Sequence, residues 1–197
     1  MRRMDRIGTA LSLVVATTLT LPTAASTAAA EEKAAPLRLR AWAVDVNNGA
    51  RTNTIDIVIE RWSTPEEIES LKGILVEKGG DKLLPALQKI RPRCGFTRTA
   101  NSLGWDLHFA RETQMEDGTR KIVVATDRPI SFWEARNSPR SRDYEFSLAE
   151  VRLPKEGMGQ GKAITMAKLG FNKETNTLEI ENYQREPVRL NQITVVQ

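Results

Sequence analysis

Between Gly104 and Leu153 the chain reads GWDLHFARETQMEDGTRKIVVATDRPISFWEARNSPRSRDYEFSLAEVRL, and this stretch leaves few folds open. Trp105–Glu112 and Thr119–Thr126 alternate apolar and polar residues on either side of Asp117-Gly118. That dipeptide suits a two-residue hairpin turn, in which both central residues take positive φ. Alternation at period two puts one set of side chains on each face of a strand, so the two runs predict a hairpin with one dry and one wet face. The hairpin is expected at the centre of an antiparallel sheet.

The same rhythm runs through most of the chain. Leu37–Val46 places Leu37, Leu39, Ala41 and Ala43 on one side, and Thr54–Trp62 returns with Ile55, Ile57 and Ile59 on one face. After Pro92, strands are predicted over Cys94–Arg98, the central hairpin, Ile130–Glu134, Tyr144–Leu153, Ala163–Phe171, Thr177–Tyr183 and Val188–Val196. A phase shift between Phe146/Leu148 and Val151/Leu153 predicts a bulge. The links after Gly104 are mostly short and carry turn residues, as neighbours in a meander require. A meander of about ten strands must close into a barrel or split into a sandwich to hide its edges, and the short links favour an up-and-down barrel or strongly curved sheet.

One insert breaks the rhythm. Thr64-Pro65-Glu66-Glu67 carries a cap, a proline suited to the first helical position and the Glu of a capping box; Ile68, Leu71, Ile74 and Leu75 follow as an apolar stripe until Gly79-Gly80. Asp81 is positioned to cap a second short helix with Leu83, Leu84, Leu87 and Ile90 inward, and Pro85 in its first turn costs little. The expected fold is therefore mainly β, an antiparallel meander with a two-helix hairpin inserted over residues 64–91.

Arg2, Arg3 and Arg6 precede an apolar run from Ala10 to Leu21 too short to span a bilayer as a helix, and small residues follow. This layout predicts an export signal over residues 1–30, cleaved after Ala25 or Ala30, then a loose tail over 31–36 and one domain over 37–197. Cleavage after Ala30 leaves 167 of the 197 residues, enough for one core. It also removes three arginines and one aspartate, leaving 26 basic and 24 acidic groups. A chain so near neutrality lacks the concentrated positive charge that nucleic-acid binding needs, and no membrane span is expected after signal removal. The expected location is periplasmic or extracellular.

Cys94 is the only cysteine and His108 the only histidine. An exported chain with one thiol has no internal disulfide, and one Cys with one His does not assemble the usual zinc, copper or haem ligand sets. No metal or cofactor is expected, although carboxylates and carbonyls suit calcium in principle.

Six strings, LRLRAW, IERWST, VEKGGD, GWDLHFARET, ATDRPISFWEARN and NYQREPVRL, together resemble a group of short exported bacterial proteins of unassigned function. The likeness covers nearly all of Leu37–Gln197. It implies a bacterial, exported chain and carries no activity, cofactor or site residue with it.

Four stretches invite a chemical reading. If Asp117-Gly118 is a two-residue turn, His108 lies opposite Asp127 with Asp106 two residues away on the same face, a pair of carboxylates that would fix the imidazole for acid/base work. A solvated ion pair on a sheet is the plainer account of the same residues. The 132–144 segment, FWEARNSPRSRDY, gathers Trp133, Arg136, Arg140, Arg142 and Tyr144 around a proline, and guanidinium forks beside aromatic faces suit anionic or sugar ligands. Glu134, Asp143 and Glu145 could satisfy those arginines locally. Gly157–Lys162 resembles a phosphate loop but has the wrong spacing and no helix after it, so it reads as a hairpin loop. Cys94, near Arg91 and Arg93, is either a reactive thiol or, more simply, a buried small hydrophobe. Trp42, Trp62 and Trp105 read as core or barrel-end packing.

These features favour a non-enzymatic exported β-domain that binds a small molecule, a glycan or a cell-envelope partner, in the barrel interior or at the 132–144 rim. An interior site requires a cavity. A hydrolase using carboxylates with His108 as helper is the second expectation. The third is a structural or assembly module, which requires an exposed sheet edge or apolar patch instead of a cavity.

Overall fold

A computed structural model describes residues 36–100, 102–128, 144–183 and 186–196. The predicted signal and nearly all of the tail, the predicted strand Ile130–Glu134, and Trp133, Arg136, Arg140 and Arg142 lie outside the described residues.

Nine strands are present among the described residues: β1 (Leu37–Asp45), β2 (Arg51–Ile59), β3 (Gly95–Thr99), β4 (Trp105–Gln114), β5 (Arg120–Thr126), β6 (Phe146–Leu153), β7 (Gly159–Asn172), β8 (Thr177–Asn182) and β9 (Val188–Val196). Each of β1 to β7 pairs antiparallel with the next, and β9 then pairs with both β7 and β1. Eight strands thus close into a barrel, the up-and-down form that the short links predicted. Strand β8 stands outside the ring. It pairs with Ala167–Asn172, the part of β7 that runs on past its pairing with β9.

The apolar faces read from the sequence line the interior. Leu39 and Ala41 of β1, Ile57 and Ile59 of β2, Leu107 of β4, Ile122 and Val124 of β5, Val151 and Leu153 of β6, and Val188, Leu190 and Ile193 of β9 form one buried cluster. Trp62 packs against this cluster from its edge. Trp42, by contrast, is 46% exposed, because position 42 is out of phase with Leu39 and Ala41 and faces outward.

The insert forms helices α1 (Pro65–Lys78) and α2 (Gly80–Leu87). Thr64 and Glu67 make the full capping box, each side chain bonding the other residue's backbone N–H. Asp81 caps nothing: α2 starts one residue before it, with Gly79 at the cap position. Leu83 and Leu87 bury against Phe146, Ala167 and Leu169, with Leu71, Leu75, Ile90 and Phe109 at the margin. This second cluster fixes the helical pair to β6, β7 and β4.

The central turn is longer than its dipeptide suggests. Met115 N–H donates to Thr119 O at 2.9 Å and Gly118 N–H to Met115 O at 2.9 Å, so three residues, Glu116 to Gly118, form the loop. Gly118 alone among them takes positive φ, at 80°, as a three-residue hairpin loop requires. The loop moves the β4–β5 register by one residue, and a bulge between Leu107 and Phe109 moves it again.

Candidate functional site

His108 is the extra residue of that β4 bulge, and its side chain is buried against the chain that leaves α2. Its Nδ1 lies 3.2 Å from Ile90 O and 3.3 Å from Arg91 Nη1, and Arg91 Nη1 also donates to Ile90 O at 2.8 Å. Its Nε2 faces Asp127 Oδ2 at 3.5 Å. With the proton on Nε2, the ring points a donor at Asp127 and leaves Nδ1 to accept from Arg91. Gln88 Nε2 adds a longer bond to Asp127 O at 3.4 Å. Sequence reasoning brought His108 and Asp127 together, and the structure does so too, through the bulge and not through direct cross-strand opposition.

Asp106 is elsewhere. Its carboxylate accepts from Arg93 Nη1 at 2.6 Å, and Arg93 also reaches Glu60 at 3.2 Å. In that tautomer both ring nitrogens of His108 are engaged, Nε2 by Asp127 and Nδ1 by Arg91, and the second carboxylate is bound to an arginine. The geometry makes His108 a tie between the β4 bulge, the end of α2 and the end of β5.

Arg93 belongs to a ladder that sequence reasoning passed over. Asp56 accepts from Arg40 Nε at 2.8 Å and lies 3.7 Å from Arg98. Arg98 and Arg93 both sit over the Phe96 ring, at 5.8 and 5.1 Å from its centre. The bond from Arg40 holds the Asp56 carboxyl below its ordinary value, and the bonds from Glu60 and Asp106 raise Arg93. The signal was present in the polar phase of the alternation, where Arg40, Asp56 and Arg98 occupy one cross-strand row. Each cation there meets an anion, so the row braces the outer face of β1–β4 and offers little free charge.

Cys94 is fully buried, with Sγ 3.5 Å from Ser63 Oγ, and burial pushes its thiol up from the ordinary value despite the opposing effects of Ser63 and Arg61. The thiol is expected to resist an aromatic disulfide reagent in the folded chain and to react at the rate of unfolding. Labelling within seconds under native conditions would show an accessible sulfur.

Ser63 has a second task beside this thiol. Its N–H donates to Ala110 O at 2.8 Å, and its Oγ accepts from Ala110 N–H at 3.1 Å. Ser63→Ala leaves a buried amide without its acceptor, an expected loss of about 1–3 kcal/mol in urea unfolding. An unchanged midpoint would show that water replaces the hydroxyl.

Of the rim residues, Tyr144 is described. Its hydroxyl hydrogen-bonds Glu181 of β8, and its ring meets Tyr183 edge-on at 5.2 Å. The residues of the phosphate-loop likeness divide at Gly159, where β7 begins, so the hairpin loop there is shorter than predicted.

Among the described residues two kinds of space stand out. Inside the barrel a cavity of about 30 Å³, lined by Ile57, Thr97, Leu107, Val124, Thr126 and Leu190 among others, has the volume of one water. Outside, an open cleft of about 520 Å³ runs between Arg120, Pro154, Lys155, Ile193 and Val195, and one of about 310 Å³ between Met115, Thr119, Pro154 and Met158. Met115, Met158 and Val195 are exposed around these clefts, and Leu178 and Ile180 are exposed on β8. Among the described residues no group of three His, Cys, Asp or Glu is placed to hold a metal, and no helix is long and apolar enough to cross a membrane.

The fold and the site define a small closed antiparallel barrel with a packed interior and a helical pair on its wall. No family model, curated protein or solved structure matches the chain.

Proposed function

We propose that this chain is an exported bacterial barrel domain that works without catalysis, as a rigid scaffold holding another component of the cell envelope against its outer surface. The observation that carries the reading is the filled interior: a space of about 30 Å³ admits a water molecule and no metabolite, lipid or sugar. On this reading the binding groups lie outside the ring, where the exposed apolar residues include Leu178 and Ile180 on the projecting strand, Met115, Met158 and Val195 around the clefts near Pro154, and Trp42 and Leu103 elsewhere. The N-terminal pattern and the resemblance support export.

The test is to express the whole chain in a bacterium and recover it gently from the envelope. Its mass and N-terminus are then determined, and contacts are captured by cross-linking in the cell. The expected result is a chain starting after residue 25 or 30, free of retained small molecules, cross-linked to a recurring polypeptide. An unprocessed cytoplasmic chain, or a small molecule bound one-to-one, would overturn the reading.

A further inference from the structure

We infer that β8 is a docking edge for an extended, basic segment of another protein, which adds to the β7–β8 ribbon as a further strand. The inference rests on the scaffold reading above and deepens it by naming where the partner binds and what chemistry it carries.

Strand β8 has β7 on one edge and, among the described residues, no strand on the other. Residues Thr177–Glu181 are all exposed, including Leu178 at 51% and Ile180 at 45%. Backbone polarity on the open edge follows from one bond. Tyr183 N–H donates to Met166 O at 3.0 Å, and the β7–β8 register continues from that pair through Glu181 opposite Lys168 and Glu179 opposite Gly170. Antiparallel pairing alternates bonded and non-bonded pairs, so Glu181 and Glu179 bond to β7 while Leu178 and Ile180 point N–H and C=O outward. Those outward groups are a template for one more strand.

Parity decides between a second copy of this chain and a different partner. If two β8 strands paired edge to edge about a twofold axis, the bonded residues would be the outward ones, which carry even numbers. In the two registers that overlap most of β8, Glu179 would then face another Glu179 or Glu181. Like charges directly opposite destabilise a pair, so self-association is disfavoured in the registers with the longest overlap. A strand carrying Lys or Arg at those positions, and apolar residues opposite Leu178 and Ile180, turns the same contacts into attraction. The partner's chemistry is therefore an extended segment alternating basic and apolar residues.

The probe is an eight-residue peptide of alternating lysine and valine, blocked at both ends, titrated into the processed full chain and followed by amide NMR. It should shift and protect the amides of Leu178 and Ile180, whereas a glutamate-for-lysine peptide should bind weakly. Ile180→Pro removes one outward N–H and leaves the β7 ladder intact, since proline is tolerated on an edge. Its expected effect is about a tenfold loss of affinity with an unchanged fold. Glu179→Lys should weaken the lysine peptide about threefold and improve the glutamate one. Shifts elsewhere, equal binding of both peptides, indifference to Ile180→Pro, a dimer through β8, or no binding at millimolar peptide would overturn the inference. A photo-crosslinker placed at residue 178 and, separately, at residue 115 separates this claim from the broader one. Capture at residue 115 alone would sink the β8 edge and leave the scaffold reading standing. Capture at neither position sinks the β8 edge and counts against the scaffold reading as well.

Discussion

Gly95→Ala is expected to cost about 3 kcal/mol or more, a large share of the roughly 5–15 kcal/mol that keeps a domain folded. Gly95 sits at the start of β3, paired with Ile59 on one side and Leu107 on the other. A Cβ there would lie 1.9 Å from Val58 O and 3.0 Å from the Cα of Ile59, and the residue holds φ at 155°. The obstacle is backbone, so no side chain can turn aside to make room. Relief would require β2 and β3 to part at the point where Cys94 O accepts the N–H groups of Glu60 and Arg61. Urea unfolding followed by circular dichroism reads the loss directly, and a midpoint within experimental error of the parent would show that the strands separate at little cost.

The second large effect is at the closing seam. Leu190 of β9 is fully buried and lies between Ala43 of β1 and Gly161 of β7, where the first and last strands complete the ring. Truncation to alanine removes its packing and opens space beside the existing cavity, which Leu190 already lines. Large-to-small changes at such sites cost about 2–5 kcal/mol, and a site held by backbone pairing on both sides collapses little, so the upper half of that range is expected. The enlarged, apolar void should take up xenon or benzene, which the parent interior has no room for. Val195→Ala, on the same strand but 55% exposed, is the control and should stay within about 0.5 kcal/mol of the parent. Equal effects of the two substitutions would contradict a packed interior.

Most of the barrel was legible because period-two alternation states which residues share a face, and one buried face is what a closed sheet needs. Ile55, Ile57 and Ile59 announced β2, and Val188–Val196 was read with the bounds it has. The α1 start was legible for a different reason: a capping box is a local hydrogen-bond pattern that needs no tertiary partner. What escaped was everything decided by pairing across distance. Asp117-Gly118 marked a turn without fixing its length, since Glu116 joins the loop through the Met115–Thr119 bond. The resulting shift was followed by a bulge at His108, so the predicted meeting with Asp127 arrived by another route and Asp106 went to Arg93. Glycines 159 and 161 read as loop because glycine is scarce in strands, yet both lie within β7. The sequence marked β8 as a strand, but its place outside the ring depends on how far β7 runs past β9.

The packed interior is the claim on which the rest stands, and methyl NMR tests it most directly. In the folded chain, the methyl resonances of Ile57, Leu107, Val124 and Leu190 are recorded while a ten-carbon fatty acid is titrated to millimolar concentration. The account predicts that these four residues hold their positions, with any shifts confined to outer residues such as Met115, Met158, Leu178 and Ile180. Saturable one-to-one shifts of the interior methyls would show a ligand inside the barrel and contradict it.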